Sequence, residues 1–133
     1  MSKTRIVPQS AAVAIYKGRV CLITTSSGKR RIVPKGHREL GHSARKTAKL
    51  EAWEEAGIAG EIDRKPLGDF VYEKDGTKRK VTVFAMEVKK VADRWPERKK
   101  RKRRWLGSRK AKRRIKYPEL RRLIAAATSR RAS

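Results

Sequence analysis

Glu51, Glu54 and Glu55 fall at i, i+3 and i+4 of a segment with helical patterning, so three carboxylates share one helix face. They precede Gly57 by less than two turns, near the helix end where the dipole disfavours anions by about 0.3–1 kcal/mol each. Like-charged neighbours on a helix add roughly 0.2–0.5 kcal/mol per pair. Local energetics oppose such a cluster unless a cation joins it. A divalent ion reverses the sign of both effects, and an all-oxygen donor set suits Mg²⁺ or Mn²⁺. The competing reading is an exposed acidic face paired with Arg45, Lys46 or Lys49 of the preceding turns. Charge spacing alone leaves the two open.

The elements that must position these acids follow from local pattern. Ala11 to Tyr16 and Arg19 to Thr25 are β-leaning runs separated by Lys17-Gly18, a hairpin signal. Ser26-Ser27-Gly28-Lys29 reads as a loop, and Arg31-Ile32-Val33 as a short strand stopped by Pro34. Ser43 is placed to cap a helix through Glu55, and Gly57 to end it in the left-handed conformation. Ala44, Ala48, Ala52 and Ala56 form a small-residue stripe that lets this helix lie close to a sheet. Strand-like segments follow at Gly60 to Arg64, Gly68 to Glu73 and Lys80 to Val88, the last two joined by a Lys74-Asp75-Gly76-Thr77 turn. Val81, Val83 and Ala85 share one face of the return strand. Ser108 is expected to cap a helix through Lys116. Pro118 suits the first turn of a final helix whose Leu120, Leu123, Ile124 and Ala127 make one apolar stripe opposite Arg121 and Arg122. Strands, helix, strands and helix in this order predict an α+β domain.

The chain has 133 residues with 38 Lys+Arg against 13 Asp+Glu, a formal net charge of +25. That length predicts one domain over 1–133, with a strongly basic C-terminal portion from about 98 to 133. The charge is uneven: residues 1–90 carry 20 basic and 10 acidic groups, residues 91–133 carry 18 and 3. A cation surplus suits phosphate-rich partners, from nucleotides to nucleic acid, without choosing among them. Cys21 is alone, which excludes an intramolecular disulfide and a multi-cysteine zinc site; a small buried hydrophobe is expected there. No apolar run reaches the roughly 20 residues of a membrane span, and no signal peptide is evident, so a soluble, cytoplasmic protein without membrane contact is expected. Oligomeric state is not legible.

Gly36, Glu51, Ala52, Glu54, Glu55, Gly57 and Ile58 together resemble the Nudix box in identity and spacing. Two positions depart from it: His42 stands where the first Glu is expected, and Leu50 where Arg is expected. The flanks, Arg31 to Gly36 and Glu54 to Gly60, look like the diphosphoinositol polyphosphate and diadenosine polyphosphate phosphohydrolase branch. Trp95-Pro96-Glu97, a basic stretch and Arg103-Arg104-Trp105-Leu106 are similar to that branch as well, with Arg104 where Glu is often found before the Trp. The resemblance implies a Nudix-type α/β/α sandwich with a mixed β-sheet between helices.

It further implies that Glu51, Glu54, Glu55 and the Gly36 carbonyl hold Mg²⁺ or Mn²⁺, and that the same three acids are catalytic. The expected reaction is hydrolysis of a phosphoanhydride linkage in a nucleotide, dinucleoside polyphosphate or diphosphoinositol-type substrate. One of the box acids, or Glu73, Glu87 or Glu97 from outside it, would accept the proton. Arg31 and Lys35, at the strand end beside the box, are the expected contacts to substrate phosphate. Trp53, Trp95 and Trp105 are expected to pack in the core or at its edge. The alternative function is a Nudix scaffold weakened at His42 and Leu50 that binds nucleic acid or polyphosphate through its basic end.

Overall fold

Two tight turns set the register of the sheet. At Lys17-Gly18 and at Asp75-Gly76 both central residues lie at positive φ (50° and 76°, then 52° and 75°), which matches the twist of the flanking strands. The first turn joins β1 (Ile6–Tyr16) to β2 (Arg19–Thr24), with Tyr16 opposite Arg19. The second joins β6 (Gly68–Lys74) to β7 (Thr77–Val91), with Lys74 opposite Thr77. The computed structural model describes residues 5–131.

Between the hairpins lie β3 (Arg31–Ile32), β4 (Lys35–His37), helix α1 (Ala44–Ala56) and β5 (Ile58–Ile62). After β7 come β8 (Arg103–Leu106), α2 (Ser108–Arg114) and α3 (Pro118–Arg131). All eight strands join one mixed sheet in the order β3-β2-β1-β7-β5, with β4 on β1, β6 on β7 and β8 on β2. The parallel ladder between β1 and β7 runs from Ile6 opposite Lys78 to Ile15 opposite Glu87. The neighbouring pairings are antiparallel. Ala11, Ala12, Val13 and Ala14 are all fully buried. A strand buries consecutive residues only when both faces are covered. Helices α1 and α3 both pack against β1, which is the layered arrangement expected from the resemblance.

Helix α1 forms as its caps dictate. The Ser43 side chain accepts from the Lys46 N–H at 3.0 Å, and Gly57 closes the helix at φ 66° with its N–H directed to the carbonyls of Ala52 and Trp53. Ala48, Ala52 and Ala56 of the small-residue stripe are fully buried. In α3, Leu120, Ile124 and Ala127 are buried and Leu123 packs against the same core. Cys21 is buried, and burial pushes its thiol up to about 12, as befits a small apolar side chain. No helix among the described residues is long and apolar enough to cross a membrane.

Several element boundaries differ from the sequence reading. β1 begins at Ile6, before Ala11, because β7 supplies a long parallel partner that carries it past Pro8. A strand at Lys35–His37 follows Pro34 at once, pairing with Gln9 to Ala11. β5 starts directly after Gly57, two residues ahead of Gly60, and Gly60 marks a register shift against β7. Gly107, not Ser108, occupies the N-cap of α2, which ends at Arg114; the Ser108 hydroxyl instead meets Thr128 Oγ1 at 3.0 Å. β8 arises within a run of cations that carries no alternation, so the pattern gave no sign of a strand.

Candidate active site

The end of α1, the start of β4 and the segment before β8 converge on one side chain. Glu55 is 5% exposed. Its Oε1 accepts from the Lys35 N–H at 2.9 Å, and its Oε2 lies 3.2 Å from an Arg101 Nη2. Arg101 also reaches Glu97, Nε to Oε1, at 3.0 Å, and donates to the Thr24 carbonyl at 3.2 Å. One guanidinium therefore bridges a helix acid, a loop acid and a strand. Trp95 secures the same corner: its Nε1 donates to the Glu55 carbonyl at 3.0 Å while the Arg103 guanidinium lies 4.3 Å from its ring centroid.

Glu51 lies against Gly36, where an added Cβ would overlap its carboxylate, so the glycine is the space that Glu51 occupies. Burial pushes Glu51 up to about 7, with Glu54 and Glu97 adding to the rise and Arg101 opposing it. Glu55 is pushed up to about 7 as well, again chiefly by burial; the Lys35 N–H and Arg101 act against this and Glu51 and Glu97 add to it. Glu54 is exposed, and its carbonyl accepts from the Glu97 N–H at 2.9 Å.

A cavity of about 170 Å³ opens beside Glu55, lined by Lys35, Tyr72, Lys74, Arg101 and Tyr117 with Thr25, Ser26 and Ile32. Lys35 Nζ donates to the Tyr72 hydroxyl at 2.7 Å, and that hydroxyl donates to Gln9 Oε1 at 2.8 Å. Burial pushes the Tyr117 phenol up, with Tyr72 adding to it, so the hydroxyl stays protonated and can donate. The cavity thus sets cations and phenols around one carboxylate. Its chemistry suits a phosphate group brought next to an acid cluster.

The residues singled out from sequence divide as follows. Glu51, Glu55, Gly36 and Lys35 meet at this corner, with Glu54 on the exposed side of the same helix. Arg31 lies opposite Thr24 on β3 and outside the cavity lining, with one Nη1 buried and without a hydrogen-bond partner among the described residues. Of the outside acids, Glu97 joins the cluster, Glu87 pairs with Lys89 at 2.7 Å, and Glu73 is exposed on β6. Trp95 packs over Gly57, and Trp105 stands 5.6 Å from Tyr16 between ring centroids. Trp53 lies half-buried beside Leu50, which is 37% exposed. Arg101, Tyr72 and Tyr117 were not anticipated. Arg101 and Arg103 turn inward while Lys102 and Arg104 stay exposed, an alternation that a uniformly basic run hides.

Among the described residues no three His, Cys, Asp or Glu side chains already converge at metal-ligand spacing. The donor chemistry nevertheless fits a hard divalent cation. Buried Glu55 and half-buried Glu51 repel each other and Glu97, and Arg101 supplies one counter-charge to several carboxylates. Gly36 lets the Glu51 carboxylate lie directly against the β4 backbone. Without divalent ions the raised acids make stability pH-dependent. Their contribution is fully present below the ordinary value of 4.5 and is lost as pH rises through about 7. The melting temperature is therefore expected to fall relative to a Glu51→Gln/Glu55→Gln variant between about pH 5 and about pH 7.5. Millimolar Mg²⁺ should restore several degrees to the unmodified chain alone. Thermal unfolding of both proteins, with and without Mg²⁺, checks this.

No protein-family model matches the chain. It is 37% identical over 89 residues to Nudix hydrolase 18, mitochondrial, of Arabidopsis thaliana, covering 65% of this chain and 50% of the relative. It is 30% identical over 118 residues to Nudix hydrolase 12, mitochondrial, of the same plant, covering 83% of this chain and 58% of the relative. The chain spans about half the length of the curated relatives it matches. Among solved structures, a NUDIX hydrolase from Nitrosomonas europaea superposes with a TM-score of 0.77 at 17% identity, over 91% of this chain and 87% of that one. An Ap4A hydrolase from C. elegans, in a binary complex, gives 0.74 at 20% identity, over 95% and 98%.

Proposed function

We propose that the chain is a Nudix hydrolase that cleaves a phosphoanhydride linkage in a phosphate-rich small molecule, a reading supported by its similarity to curated Nudix hydrolases and by the fold it shares with solved ones. The observation that carries this reading is the cation-lined cavity beside Glu55 within the acid cluster. A dinucleoside polyphosphate is the first substrate class to test, since one structural neighbour is an Ap4A hydrolase. Nucleotides and diphosphoinositol compounds come next, following the flanks of the box.

Glu51, Glu54 and Glu55, with the Gly36 carbonyl, are the residues that would hold Mg²⁺ or Mn²⁺. When bound, the ion polarises a phosphoryl oxygen and lowers the pKa of an attacking water. The rest falls to the chain. Lys35 and Arg101 line the cavity and offset the charge of the phosphates, Arg101 by exchanging a carboxylate contact for a phosphate one. Tyr72 holds the Lys35 ammonium in place through its hydroxyl and its ring, 4.7 Å from Nζ to centroid. Water adds to phosphorus, the bridging P–O bond breaks toward the departing phosphate, and the proton passes to a carboxylate. Our choice of outside acid for that transfer is Glu97, supported by its contact with the cluster through Arg101.

The test is incubation with Mg²⁺ and a panel of nucleoside di- and triphosphates, diadenosine polyphosphates and inositol pyrophosphates, following phosphate or nucleotide release. Turnover of at least one class is expected. In that assay Arg101→Gln should raise KM about 10-fold or more, from loss of a charged contact to phosphate. A panel that yields no turnover at all rejects the enzyme reading.

A further inference from the structure

A separate group of four cations lies beside the β2–β8 pairing. Trp105 on β8 lies opposite Cys21 on β2, and its ring packs at 49° against Tyr16, at the end of β1. Both aromatics are half-buried, so each keeps an accessible part. The Lys17 ammonium stands 5.3 Å from the Tyr16 ring centroid. A groove of about 490 Å³ runs past Trp105, and Arg19, Arg109 and Lys110 line it. These four cations are exposed, and none makes an ion pair with an acid among the described residues. The groove shares no lining residue with the cavity beside Glu55.

Unpaired cations around an accessible aromatic pair are the two components that hold unstacked bases and track their backbone. Tyr16 and Trp105 also pack against the core, but the core gives no reason for the exposed cations gathered around their accessible parts. Like charges gathered on one face raise its potential, and indole exposed at a groove leaves apolar surface in water. Duplex nucleic acid hides its bases from such a platform, and inorganic polyphosphate has none to offer. We propose that the face formed by Tyr16, Lys17, Arg19, Trp105, Arg109 and Lys110 binds single-stranded nucleic acid. This site is separate from the hydrolytic one and does not depend on its activity.

Fluorescence anisotropy of a labelled oligothymidylate of about 12 nucleotides tests this. With four phosphates neutralised, log affinity should fall against log salt with a slope of about −3 between roughly 50 and 200 mM. Trp105→Leu should weaken binding about 5- to 100-fold, the range of one lost base–aromatic stack. Arg109→Glu with Lys110→Glu should weaken it at least about 10-fold, and these exposed positions leave the core intact if Trp105→Leu does not fold. A matched reversal elsewhere, Arg64→Glu with Lys65→Glu, should cost clearly less. The proposal is overturned if that remote reversal costs as much, or if Trp105→Leu folds and binds normally. It is equally overturned if duplex, polyphosphate or phosphatidylserine vesicles bind as tightly per charge as the single strand.

Discussion

Glu55→Gln is expected to lower kcat for the best substrate of the panel by about 10³-fold in Mg²⁺, with KM changed far less. Glutamine keeps the shape and still accepts from the Lys35 N–H, so β4 and α1 stay joined. What it removes is the charge that faces Arg101 and the donor next to Glu51. Melting temperature separates this from a folding defect. Above about pH 7 the variant should be at least as stable as the parent, because the buried charge whose value was pushed to about 7 is gone. Glu54→Gln should lose activity comparably with little change in stability, since Glu54 is exposed. Activity untouched by both substitutions would place the chemistry elsewhere.

The largest structural effect is expected two residues further on, at the C-cap of the same helix. Gly57 sits at φ 66°, and a Cβ there would come within 2.7 Å of the Trp95 ring. Alanine in that conformation costs about 1 kcal/mol in backbone strain alone. Displacing the indole also strains its hydrogen bond to the Glu55 carbonyl and its stacking with Arg103. Together these should destabilise Gly57→Ala by about 2–4 kcal/mol, seen as a lower denaturation midpoint with unchanged m-value. Because Glu54 and Glu55 hang on this corner, activity should fall at temperatures where the variant is still folded. A midpoint within experimental error of the parent would mean that Trp95 moves aside freely.

How much of this was legible in the sequence depended on whether residue type varied along the element. The caps of α1, the alanine stripe and the apolar face of α3 were readable because Ser43, Gly57, Ala52 and Leu120 differ in kind from their neighbours. The acids and Gly36 were readable from spacing. Arg101 was not, because every residue from Arg98 to Arg104 is a cation and only the third dimension says which ones turn inward. Glu97 could be named among three acids but not chosen, since its place depends on that same arginine. Tyr72 and Tyr117 reach the cavity from β6 and from just before α3, segments with no local mark of a site. β1 was cut short at Ala11 because its extension depends on a partner strand far along the chain, which local pattern does not contain.

That distant partner has a consequence for how the molecule comes into being. The central ladder joins the first strand to the seventh, and the hairpin partner of β1 is itself completed by β8. Pairings between segments so far apart close large loops before any contact rewards them, which makes folding slow compared with locally wired helical domains. During synthesis from the N-terminus, β1 emerges long before β7 exists to cover it. Its run from Ala11 to Ile15, apolar and uncharged, must wait with an open edge. Neither Glu97 nor Arg101 exists until after β7, so the acid corner is completed late. The nascent chain is therefore most exposed to aggregation through β1 until β7 has been made, and the acid corner forms only once Glu97 and Arg101 have followed it.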